Sequence, residues 1–207
     1  MKNELIEQVN WFRGLNEYTQ ANNILFVGST FIHDFPINEL EVNFQLADII
    51  YNRGIKGLKL NELKDILDVC VYDINPSKII LSIGEEDIKD ADFSVKGFIS
   101  QYSDIVCDIR KKLPNAKLYI MGIMPTDDKY QLVNQKLQLQ MQATNIEYID
   151  FSYHLLNTEN KVDNKFITED NVFLPNAYVA ILVDLKRFFR NRMMGFGDII
   201  NMAQNWY

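Results

Sequence analysis

The chain has 207 residues, enough for one domain with a sizeable core. Hydrophobic residues make up 47% and charged residues 24%, the balance of an ordinary globular protein. A net charge of −7 with scattered Lys and Arg excludes the basic face that a nucleic-acid partner needs, and no apolar run reaches the length of a membrane span.

Leu5, Val9, Phe12 and Leu15 recur at helical spacing, so the first twenty or so residues read as an amphipathic helix, broken at Asn22-Asn23. Five short apolar runs follow: Ile24 to Val27, Asp48 to Tyr51, Lys78 to Ile83, Lys117 to Ile123, and Ile146 to Phe151. Runs of this kind fit strands buried on both faces, as in a parallel sheet. Helical stripes separate them: Leu60, Leu63, Leu67 and Cys70; then Val95 through Leu113; then Tyr130, Val133, Leu137 and Met141; and finally Tyr178 through Phe189. This alternation predicts an α/β sandwich with right-handed crossovers. Ligands of such sheets bind beyond the carboxyl ends of the strands, so the loops after Gly28, Asn52, Gly84 and Pro125 are the ones to inspect.

The remaining features read as follows. Cys70 and Cys107 lie in apolar helical patterns and are expected as small buried hydrophobes. The cationic clusters Arg110-Lys111-Lys112 and Lys186-Arg187 are expected late in helices, where they complement the dipole. Met1 to Leu5 carries no apolar signal-peptide core, which sets the expectation of a cytoplasmic protein. Glu85, Glu86 and Asp87, with Asp170 opposite, could offer oxygen ligands to Mg²⁺ or Ca²⁺. No metal-loop spacing accompanies them, so a solvated acidic loop is expected, with no metal and no cofactor. The last eighteen residues, 190–207, include Met193, Met194, Phe196, Ile199, Ile200, Met202 and Trp206. This apolar extension could pack on its own domain, contact a second copy or dock a protein partner.

The strand-end loops carry a resemblance. Ile24-Leu25-Phe26-Val27-Gly28-Ser29-Thr30 is similar to the strand and nucleophile turn of the SGNH (GDSL-type) hydrolases. Asn52-Arg53-Gly54-Ile55-Lys56-Gly57 resembles that family's second block and Gly84-Glu85-Glu86-Asp87 its third. Asp170-Asn171-Val172-Phe173 falls where the family's Asp/His pair stands. Within the family, the platelet-activating-factor acetylhydrolase-like esterases look most similar. The resemblance implies one domain over 1–207: an N-terminal helix over 1–22, a family-like core over 23–189, and the extension. It also implies a three-layer α/β/α sandwich, flavodoxin-like, with a five-stranded parallel sheet in the order 2-1-3-4-5.

For function, the resemblance implies acyl transfer from an ester, with a serine nucleophile, a histidine base, an orienting aspartate and an oxyanion hole. Here Thr30 stands at the serine position, Glu86 at the asparagine position and Phe173 at the histidine position, while Gly57 and Asp170 match. Phe173 cannot accept a proton, and an ionised Glu86 offers only acceptors where a donor is required. The leading expectation is therefore an inactive, esterase-like protein acting in binding or assembly, with a small acylated ligand in a remnant pocket. The alternatives are an atypical ester hydrolase using Thr30 or Ser29, with a Thr30–His33–Asp34 relay as one route, and a structural subunit holding a partner by its tail. A role for His154 is also open, against a loop position.

Overall fold

The computed structural model describes residues 3–125 and 127–190; all but the first residue of the apolar extension lies outside them. The chain runs α1 (Asn3–Asn16), β1 (Ile24–Gly28), α2 (Thr30–His33), α3 (Ile37–Asn43), β2 (Ile50–Gly54) and α4 (Leu60–Asp65). A π-type turn (Asp68–Tyr72), β3 (Lys78–Ser82), α5 (Val95–Lys112), β4 (Lys117–Met121), α6 (Tyr130–Ala143), β5 (Glu147–Ile149) and α7 (Pro175–Leu185) complete it. All strand pairs are parallel, in the order β2-β1-β3-β4-β5.

Alternation along the strands builds two apolar layers. Leu25, Val27, Ile79, Leu81 and Ile120 face one side and pack with α1, α4, α5 and α6. Ile24, Phe26, Ile80, Met121 and Ile149 face the other and pack with α2, α3 and α7. Burying each such side chain stabilises the fold by roughly 1.5–3 kcal/mol, so the strands are committed on both faces. The helix ends carry their own signals. The Ser94 hydroxyl caps α5 by accepting from the Gly97 N–H at 3.3 Å, Arg110 to Lys112 occupy its last turn, and Pro175 opens α7.

Several expectations need correction. The first helix stops at Asn16, and Leu15 is 37% exposed instead of packing with Leu5, Val9 and Phe12. β2 begins at Ile50; Asp48 is instead a buried anchor that takes the Arg190 guanidinium at 2.6 Å and the Arg190 N–H at 2.7 Å. The stripe from Leu60 to Cys70 is not one helix, because α4 closes at Asp65 and the π-type turn carries Cys70. β5 is only Glu147–Ile149. Cys70 is fully buried and its thiol is pushed up to about 12 by burial, whereas Cys107 is exposed. Among the described residues, no helix is long and apolar enough to cross a membrane.

Candidate functional site

The strand order reverses between β1 and β3, both of which pair through Gly28 and Ser82. A crevice at such a switch point is where open α/β sheets place ligands. Gly28 is required there: a Cβ added to it would lie 1.8 Å from the Ser82 carbonyl oxygen. This tight passage turns the chain from β1 into α2, putting Ser29 beneath the surface and Thr30 at the rim. Ser29 is fully buried, and its hydroxyl has no partner among the described residues.

The Thr30 hydroxyl is half-buried and held from two sides. It accepts from the Gly57 N–H at 3.0 Å and donates to Glu86 Oε1 at 3.3 Å. Gly57 has φ 72, a left-handed conformation that costs other residues energy. Lys89 Nζ stands 3.1 Å from the same Glu86 oxygen. Asn52 steadies the frame: its amide nitrogen donates to the Ile32 carbonyl at 2.7 Å, and its side-chain oxygen accepts from the Gly54 N–H at 2.7 Å.

The acidic triplet is not the solvated loop that composition suggests. Glu85 is 4% exposed, and its Oε1 accepts from the Phe31 N–H at 3.0 Å. Burial pushes its carboxyl up to about 7, against the smaller opposing effect of that hydrogen bond. Asp87 accepts from the Leu60 N–H at 3.1 and 3.2 Å, and burial pushes it up to about 6. Glu85 thus serves the first turn of α2 and Asp87 the first turn of α4, each from a distant point in the chain. Sequence reasoning offered Glu85 only as a cation ligand or a solvated acid and missed its burial. Its position three residues past the end of a strand buried on both faces was the available signal.

The segment before α7 folds over this edge through a tight turn, with Ile167 bridged to Phe173 and Asn171 at φ 60. The Phe173 ring meets Phe31 edge-on with centroids 5.4 Å apart, and Phe31 stacks on Tyr178 at 5.0 Å. Asn171, Val172 and Phe173 join Thr30, Glu85 and Glu86 around a cleft of about 120 Å³. Asp170 is exposed and is not part of that lining.

The two histidines lie elsewhere. His33 Nδ1 pairs with Asp34 Oδ1 at 2.7 Å, and its ring faces a neighbouring hollow with Lys56 and Gly57. The Thr30 hydroxyl bonds to Gly57 and Glu86, not to His33. His154 Nε2 lies 2.7 Å from Asp184 Oδ2, which also accepts from the Tyr153 hydroxyl at 2.7 Å. That trio ties the segment after β5 to α7. Among the described residues, no three His, Cys, Asp or Glu side chains gather to hold a metal ion.

Chemically, the cleft offers a hydroxyl, one backbone N–H already satisfied by that hydroxyl, two glutamates and an aromatic wall. No family model matches the chain, and no curated protein matches it. Solved structures do. A protein from Streptococcus pneumonia, provisionally described as a platelet activating factor, is 25% identical with a TM-score of 0.75, over 89% of this chain and 92% of its own. A GDSL-like lipase from Bacteroides thetaiotaomicron is 14% identical with a TM-score of 0.72, covering 86% and 95%. An acetylxylan esterase from Geobacillus stearothermophilus is 12% identical with a TM-score of 0.64, covering 81% and 94%.

Proposed function

For a chain that belongs by fold to the SGNH/GDSL-type hydrolases, we propose a catalytically inactive, esterase-like protein that uses the site for binding or assembly. One observation carries this reading: Phe173, packed edge-on against Phe31, stands where the resemblance places a proton acceptor. A hydroxyl nucleophile needs a base within hydrogen-bond reach, and a phenyl ring is none. Two further features agree with it. The Gly57 N–H, the matching oxyanion-hole donor, already bonds Thr30, and the Glu86 carboxylate would repel a forming oxyanion. Thr30 also carries a methyl that restricts how its oxygen can be aimed. We read residues 1–207 as one such domain with an apolar extension, and the cytoplasm as its location.

The competing reading, an atypical ester hydrolase, rests on the Thr30–Glu86 hydrogen bond, which would make Glu86 the base. Initial rates with 4-nitrophenyl acetate at neutral pH decide between them. The inactive reading expects the purified protein to match the buffer rate and to be unaffected by Thr30→Ala. Turnover at enzymic rates, lost in both Thr30→Ala and Glu86→Gln, establishes the hydrolase instead.

A further inference from the structure

The first helix has two apolar faces. Leu5, Val9 and Phe12 are buried against the domain, whereas Trp11 is 63% exposed, Tyr18 is 83% exposed and Leu15 also reaches solvent. Trp11, Leu15 and Tyr18 follow one another at helical spacing, and the Tyr18 N–H donates to the Leu15 carbonyl at 3.0 Å, carrying the stripe past the end of α1. A contiguous exposed patch of large apolar side chains marks an interaction surface. Its helix lies over β2, the outermost strand on its side of the sheet. Phe12 meets the Arg53 guanidinium at 4.9 Å, Asn16 Oδ1 accepts from Arg53 at 2.8 and 3.2 Å, and the Gln20 N–H donates to the Tyr51 hydroxyl at 2.9 Å. Arg190, the last of the described residues, is fixed at the start of the same strand. Its carbonyl accepts from the Ala47 N–H at 2.8 Å, and its own N–H and guanidinium donate to the buried Asp48 at 2.7 and 2.6 Å. Ile49, between Asp48 and β2, is exposed. Beyond Arg190 the sequence has two charged side chains, Arg192 and Asp198, against seven large apolar ones.

We propose that the stripe of Trp11, Leu15 and Tyr18 is the docking surface for residues 191–207 of the same chain. The anchor at Asp48 starts that segment beside β2, below the helix that carries the stripe. Seventeen residues span up to about 55–60 Å when extended, and a helix the length of α1 measures about 20 Å, so the reach is ample. Removing apolar area on both surfaces from water drives the docking. A tethered segment meets such a surface at roughly millimolar effective concentration, which a second copy in dilute solution does not reach. The assignment is independent of the cleft and of whether Thr30 is active.

The chain holds two tryptophans, Trp11 and Trp206, so the full-length Trp206→Phe variant reports on Trp11 alone. Its fluorescence and acrylamide quenching are compared with those of the same protein carrying Ile199→Asp and Ile200→Asp, with circular dichroism confirming the fold of both. Trp11 should emit to the blue of a solvated tryptophan, and the two aspartates should shift it to the red and raise the quenching constant several-fold. Trypsin gives the reverse view: cleavage after Arg192, followed by intact mass, should be several-fold faster in Trp11→Ala than in the parent. Trp11 quenched like free tryptophan in the full chain, shielding that survives the aspartates, or equal cleavage rates would each overturn the proposal. Shielding lost on dilution, with a doubled mass in light scattering, would overturn it too and assign the cover to a second copy. If the aspartate pair does not fold, the Trp11→Ala cleavage rate decides.

Discussion

Two sides of one crevice differ in how closely they follow the family resemblance. On the β1–β2 side, Gly28, Thr30 and Gly57 keep the backbone turn, a hydroxyl and a donor N–H in bonding contact. On the β3 side and the covering turn, Glu86 and Phe173 stand where the family resemblance places side chains that act on substrate. The first set is constrained by backbone geometry, which the fold itself needs. The second set is held by side-chain contacts, such as that of Phe173 with Phe31, more than by backbone geometry. On the proposed inactive reading, the second set is free to change and the first is not.

The sharpest way to break this comparison is at Gly28. The Cβ of Gly28→Ala would meet the Ser82 carbonyl oxygen at 1.8 Å, so the β1–β3 pairing must open. Thermal denaturation should show a loss of about 4 kcal/mol or more, or no soluble protein at all. A variant as stable as the parent would mean that the turn is not fixed by the fold.

The next largest effect is on the other side and depends on pH. Glu85 titrates at about 7 against an ordinary 4.5, and Asp87 at about 6 against 3.8. Both folded values are raised, so the native state holds more protons than the unfolded chain between roughly pH 4 and 7. Stability therefore falls as pH rises through that window and levels off above it. Glu85 alone accounts for about 3 kcal/mol of that fall. Urea midpoints measured from pH 4 to 8 should decline, and Glu85→Gln should flatten the upper part of the curve. A flat parental curve would show that Glu85 is solvated.

Smaller effects refine the picture. Gly57→Ala meets open space but must hold φ 72, which costs on the order of 1–2 kcal/mol and should loosen the Thr30 hydroxyl. Phe173→Ala removes one edge-on aromatic contact, about 0.5–1.5 kcal/mol beyond the area it buries. Both are measurable as shifts in the urea midpoint, and a larger loss at Gly57 than at Gly28 would reverse the account of which side the fold needs.

How much of this was legible in the sequence follows from the same division. The strands could be read because apolar runs buried on both faces are local signals, and their order followed from the family resemblance that the four strand-end blocks carry. The turn at Gly28-Ser29-Thr30 and the glycine at 57 could be read for that reason too. Glu85 could not: three consecutive acids resemble a solvated loop, and only the distant Phe31 N–H explains the burial of the first. Cys107 was misread because it lies beside the stripe of Tyr102, Ile105, Val106 and Ile109, not within it. The break between Asp65 and the π-type turn has no glycine or proline to announce it.

The central claim is that neither hydroxyl of the β1 turn is activated. Intact-mass spectrometry after incubation with a reactive organophosphonate at neutral pH tests it directly, because such reagents add covalently to hydroxyl nucleophiles that have a working base. The account predicts an unchanged mass and no modified peptide. A single stoichiometric adduct mapped to Thr30 or Ser29 would contradict it.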